Sequence, residues 1–126
     1  MNLIDSSVWI SFFEEGSSAA ASEKYLRDAE GVIVPTLVLH EVYRQLLKKL
    51  SEQEALYYVA QMEEDGNVIS LDQEIALLAA EVRHRQKLGT ADSIIYATAL
   101  VHQVRLITLD NDFRGLPQCV VIGSKN

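Results

Sequence analysis

Five short apolar runs, separated by stretches of helical character, limit what this chain can become. They are Leu3-Ile4, Val32-Ile33-Val34, Val68-Ile69, the segment 105–108 around Leu106-Ile107, and Val120-Val121-Ile122. Each is continuously apolar, as expected of strands in a sheet covered on both faces. Helices are expected over 6–13, 19–29, 37–50, from Ser51 to a stop at Gly66, over 72–87 and over 91–102. Strands alternating with helices predict an α/β fold with a mainly parallel sheet. The 126 residues suit one domain, 1–126, with a sizeable core.

The helices carry readable detail. In 37–50, Leu39, Val42, Tyr43, Leu46, Leu47 and Leu50 recur at helical spacing on one face. Ser51 and Glu54 form a capping-box pattern. Ile75, Leu78, Ala79 and Val82 are expected inward in 72–87, as are Ala20, Tyr25 and Leu26 in 19–29. The mostly apolar 91–102 segment predicts a central, buried helix. Trp9, Phe12 and Phe13 read as core or interface residues. Cys119 is the one cysteine, so an internal disulfide is excluded, and its neighbours Val120 to Ile122 suggest a buried thiol. A reducing, cytoplasmic setting fits.

Against this apolar frame stand acids at the turning points. Asp5 ends the first strand, Glu41 lies in the 37–50 helix, Asp92 opens the 91–102 helix, and Asp110 follows the fourth strand, with Asp112 two residues later. In open α/β sheets, sites form beyond the carboxyl ends of strands. Each acid also has a plainer reading. Asp5 suits a helix N-cap, Glu41 a pair with Arg44 on the same helix, Asp92 a favourable place at a helix start, and Asp110 and Asp112 an ordinary turn. Yet ionised carboxylates planted in apolar sequence need partners or a metal. Several together offer oxygen ligands to a hard divalent cation.

The formal net charge of −7 argues against a broad basic nucleic-acid surface. Any such grip would rest on local clusters, Arg44 with Lys48 and Lys49, or Arg83 with Arg85 and Lys87, each of which also reads as a solvated helix face. His40, His84 and His102 read as structural or surface residues. No apolar run reaches membrane-spanning length, and no signal peptide is evident. No Ser–His–acid order and no phosphate-binding glycine loop stands out.

In combination the acidic segments resemble a known family. The run from Leu3 to Ile10, LIDSSVWI, is similar to the opening motif of PIN-domain ribonucleases. Glu41 within Leu39-His40-Glu41-Val42 resembles their second acidic position. Thr90 to Leu100, TADSIIYATAL, resembles the third motif, and Leu106 to Phe113, LITLDNDF, the fourth. The resemblance spans essentially the whole chain, and the compact length resembles VapC toxins of toxin–antitoxin pairs. It implies a three-layer α/β/α sandwich and a metal-dependent endoribonuclease that hydrolyses RNA phosphodiester bonds with metal-activated water. Asp5, Glu41, Asp92 and Asp110 would be catalytic and hold Mg²⁺ or Mn²⁺, with Asp112 as a further metal residue and Ser7 and Thr108 as supporting polar groups. RNA is the implied substrate, and a protein antitoxin the implied partner. Ala20, Leu26, Tyr57, Tyr58 and Val59 are more apolar residues than one small face needs, which together with the resemblance predicts a homodimer.

Two alternatives remain. A PIN domain could act in RNA processing or decay outside any toxin pair. A non-enzyme, the phospho-accepting receiver domain, is also a small α/β protein with strand-end aspartates. It needs an acidic pair after the first strand, an acceptor aspartate after a middle strand and a lysine after the fifth. Here Asp5 stands alone before Ser6, and the central 51–64 region reads as helical.

Overall fold

Short apolar runs form the strands and the amphipathic segments between them form the helices. The structure, a computed structural model, describes residues 1–16, 19–28 and 30–123. In chain order the elements are β1 (Asn2–Ile4), α1 (Ser6–Phe13), α2 (Ala19–Leu26), β2 (Val32–Pro35), α3 (Thr36–Leu46), α4 (Glu52–Asp65), β3 (Asn67–Ile69), α5 (Gln73–Arg85), α6 (Thr90–Val101), β4 (Arg105–Thr108), a 3-10 turn (Asn111–Phe113) and β5 (Cys119–Val121).

The sheet is five-stranded, in the order β3-β2-β1-β4-β5, and its four pairings are all parallel. Leu3 sits between Ile33 and Leu106 at the centre. The first four helices contact one another in sequence, α1 against α2 and α3, and α3 against α4, while α5 packs along α6. The result is the three-layer sandwich. The order also separates the chain from a receiver domain, whose doubly wound sheet runs 2-1-3-4-5.

β1 is the pivot of the sheet, since β2 lies on one side of it and β4 on the other. The strand order therefore reverses at β1 and β4, and a crevice opens beyond their carboxyl ends. The core fills the space around these strands. Leu3, Ile4, Val34, Leu106 and Ile107 are buried, and Val38, Val42 and Leu46 bring the inner stripe of α3 against them. Trp9 is buried, Phe13 lies at the core's edge, and the Phe13 ring meets Tyr58 at 4.8 Å between centroids.

Several expectations shift at the edges. α3 ends at Leu46, so Leu47 falls in a turn and is 41% exposed, while Val38 takes the inward role. α5 stops at Arg85, two residues short of Lys87. The outer strands are less covered than their apolar sequence implies. Val68 on β3 is 42% exposed, and Cys119 on β5 is half-buried. Ala20 is exposed rather than inward. α2 ends at Leu26, short of the expected 19–29 helix, while the loop reading at Ser17-Ser18 and residue Ala29 lie outside the described residues. Among the described residues, no helix is long and apolar enough to cross a membrane.

Gly66 does stop α4, but its backbone is extended (φ −121°) and not left-handed. Its role is proximity. A Cβ here would lie 2.5 Å from Val34 Cγ2, so the end of α4 can approach β2 only with glycine at this place.

Candidate metal centre

Asp5 leaves β1 at the switch point and is buried there. Its Oδ1 accepts the Ser6 N–H at 2.8 Å, which makes it the N-cap of α1. Its Oδ2 accepts from the hydroxyls of Ser7 (3.0 Å) and Thr108 (2.7 Å). Both hydroxyls are used twice. Ser7 Oγ accepts the Leu109 N–H at 3.1 Å, and Thr108 Oγ1 accepts the Asp110 N–H at 3.0 Å. Ser7 and Thr108 therefore tie the ends of β1 and β4 together and fix the Asp5 carboxylate between them. The cap and the site are compatible because they use different oxygens.

Asp110 sits just beyond β4. Its Oδ1 accepts the Asp112 N–H at 2.9 Å, the turn chemistry expected of this sequence. That turn folds Asp112 back toward α6. Asp92 lies in the first turn of α6, whose cap residue Gly89 supplies no side-chain cap. One carboxylate oxygen each from Asp92, Asp110 and Asp112 lie within 4.8 Å of one another.

The acids are electrostatically joined. Burial pushes the Asp92 carboxyl up to about 6, and the charges of Asp5, Asp110, Glu41 and Asp112 add to the rise. A helix N-terminus favours the ionised form, but desolvation and four like charges outweigh it. Burial also raises Asp5, opposed by its hydrogen bonds from Thr108, Ser7 and Ser6, with Asp110 adding to the rise. Such crowding of like charge is relieved by a bound cation.

The other four acids expected at the site thus all act on Asp92. Their ranking changes, however. Asp112, expected below the four others, is part of the tight group of three, whereas Asp5 and Glu41 fall outside that group. Glu41 lies in the second turn of α3.

A cavity of about 530 Å³ opens beside the acids, between α1 and α3. Leu37, His40, Glu41, Arg44 and Gln45 line it from α3, facing Ser6, Ser7 and Ile10 of α1. These α3 positions follow i, i+3, i+4, i+7, i+8 spacing, a stripe visible in the sequence once the buried stripe of Val38, Val42 and Leu46 is set aside. His40 is exposed, as a surface residue is expected to be, and also lines this wall. The basic clusters separate. Lys49 reaches Glu14 at 3.3 Å, Arg83 donates to Thr90 at 2.6 Å, and Arg85 approaches Glu81 at 3.8 Å. Arg44 alone among these cations faces the cavity.

The PIN domain family matches residues 3–118. The chain is similar in structure to a toxin–antitoxin complex from Klebsiella pneumoniae, at TM-score 0.82 and 27% identity, over 98% of this chain and 99% of that one. It is also similar to VapBC2 from Rickettsia felis bound to a promoter DNA fragment (TM-score 0.76, 14% identity, 94% and 95% covered). A third neighbour is the sarcin-ricin loop cleaving toxin VapC20 from Mycobacterium tuberculosis (TM-score 0.75, 17% identity, 93% and 95% covered). No curated protein matches the chain.

Proposed function

The chain belongs to the PIN domain family, and from that premise we propose that it is a Mg²⁺- or Mn²⁺-dependent endoribonuclease, the toxin of a VapBC-type toxin–antitoxin pair. The observation that carries this reading is the meeting of Asp92, Asp110 and Asp112 oxygens within 4.8 Å, with Asp5 and Glu41 adding charge to the same place. The donor set is all oxygen, which suits a hard divalent cation and not a soft one. Magnesium keeps much of its water and needs few carboxylates.

Asp92, Asp110 and Asp112 would hold the metal, with Asp5 and Glu41 acting directly or through water. When bound, such a cation lowers the pKa of its water and takes up charge that develops on the phosphate. Ser7 and Thr108 hold the Asp5 carboxylate in one orientation, as outer hydrogen-bond partners do in metal sites. The half-open cavity between α1 and α3 admits a strand to the acids from one side.

Similarity to the Klebsiella pneumoniae toxin–antitoxin complex supports a protein antitoxin as partner. The acidic site would be answered well by an antitoxin arginine, whose planar fork bonds carboxylates at two points. We propose a homodimer as the working unit. The patch expected for it is only partly available, since Leu26 and Tyr58 pack on the core while Tyr57 is 62% exposed.

Expression of the wild-type chain alone should slow growth, Asp5→Ala should remove the toxicity, and co-expression of the cognate antitoxin should restore growth. Equal harmlessness of wild type and Asp5→Ala at matched high expression would defeat the toxin reading. A PIN nuclease of RNA processing would survive that result.

A further inference from the structure

We propose that the α1–α3 cavity is the seat of the nucleotide next to the scissile phosphate, with Arg44 holding that nucleotide's own phosphate. This deepens the ribonuclease reading and rests on it.

The cavity has the mixed chemistry that a nucleotide needs. Ile10, Leu37 and Leu109 give apolar wall for a base or ribose, and Ser6 and Gln45 give hydrogen-bonding groups. Among the described residues, Arg44 is the one Lys or Arg in the lining. It stands on the wall of this cavity in a strongly acidic molecule, where its charge suits a phosphate. Arg44 stands one helical turn beyond Glu41, with Cβ atoms about 5–6 Å apart for this spacing. Its long arm can thus serve a phosphate adjacent to the one at the acids. The arrangement answers an electrostatic difficulty. Five carboxylates near the reacting phosphate repel an RNA strand, and a bound metal offsets this only at its own position. A cation one turn away anchors the strand outside the metal's reach. Arginine does so with several directed donors. An arginine-bearing inhibitor segment would meet repulsion from Arg44 at this end of the cavity, so charge favours RNA here.

The test measures RNA binding by fluorescence anisotropy, in a shared Asp92→Asn background that stops cleavage. The probes are short fluorescein-labelled oligouridylate and oligoadenylate, with Mg²⁺ present, across a salt series. Arg44→Gln should weaken binding about tenfold and lower the slope of log affinity against log salt by about 0.7, the value for one lost single-strand phosphate contact. Arg44→Lys should keep most of the salt slope and lose part of the affinity. Arg85→Gln removes the same charge on α5, outside the cavity, and should change the affinity far less. Mn²⁺ titration of the Arg44→Gln chain with Asp92 intact should match wild type.

Equal losses in Arg44→Gln and Arg85→Gln would overturn the assignment and leave the nuclease reading standing. Lost Mn²⁺ binding in Arg44→Gln would also overturn it, because Arg44 would then be supporting the acids and not the strand. Absence of RNA binding by any version, with Mn²⁺ still bound, would overturn both this assignment and RNA as substrate.

Discussion

Asp92 concentrates the electrostatic cost of this site. Its carboxyl is raised to about 6, first by burial and then by Asp5, Asp110, Glu41 and Asp112. In the unfolded chain it titrates near 3.8. Between those values the folded protein holds a proton that the unfolded chain has lost, so metal-free stability falls as pH rises through the window. Above about pH 6 the folded protein carries the full penalty. Asp92→Asn removes it and should stabilise the metal-free protein by about 1–2 kcal/mol at neutral pH, after discounting for a side chain that is only partly buried. The gain should vanish below about pH 4. Urea unfolding in chelator at the two pH values checks this, and a constant difference would mean a packing effect. The residues of this network were legible one at a time. The double use of Ser7 and Thr108, each donating to Asp5 and accepting from the loop after β4, was not. It depends on β1 lying beside β4, a pairing between residues about a hundred positions apart. Asp112 was undervalued for a related reason. Its place follows from a tight turn at Asp110, and spacing alone does not say which way that turn folds.

At the scale of elements, strands and helices were readable because apolar runs and helical stripes are local patterns. Their ends were less so. The stripe that predicts Leu47 inward continues past Leu46, where the chain leaves the helix for a turn before Ser51, although Leu50 still packs on the core. The capping box at Ser51 and Glu54 formed as its sequence implied, because every partner lies within four residues. Gly66 shows what local pattern misses. A helix-stopping glycine was expected, but its work is to let α4 close on β2, and that demand comes from Val34, thirty-two residues away. Gly66→Ala should therefore cost about 1–3 kcal/mol, the usual range for overpacking a filled site. Metal dependence of any activity should be unchanged. Chemical denaturation is the check, and an unaltered midpoint would show that β2 yields easily. The same logic explains Val68. An apolar run reads as a buried strand, yet β3 is an edge of the sheet, and the edge position is set by the order of the strands, not by their composition.

For the whole molecule, topology converts scattered acids into one site. Asp5 and Asp110 arrive at the carboxyl ends of neighbouring strands because β1 and β4 flank the switch point. Asp92 arrives on the helix that precedes β4, and Glu41 on the helix that follows β2. The resulting crevice is acidic at its base and carries Arg44 on its wall. That division of charge fits a protein that is acidic overall yet is proposed to act on a polyanion, since the metal and one anchored cation supply the attraction locally. The central claim is that these acids cleave RNA through a divalent metal, and cleavage of labelled RNA by purified protein tests it most directly. The account predicts cleavage with Mg²⁺ or Mn²⁺, its loss in excess EDTA, its return when the metal is restored, and no cleavage by a folded Asp92→Asn protein. Undiminished cleavage by wild type in EDTA, or by Asp92→Asn with metal present, would contradict it.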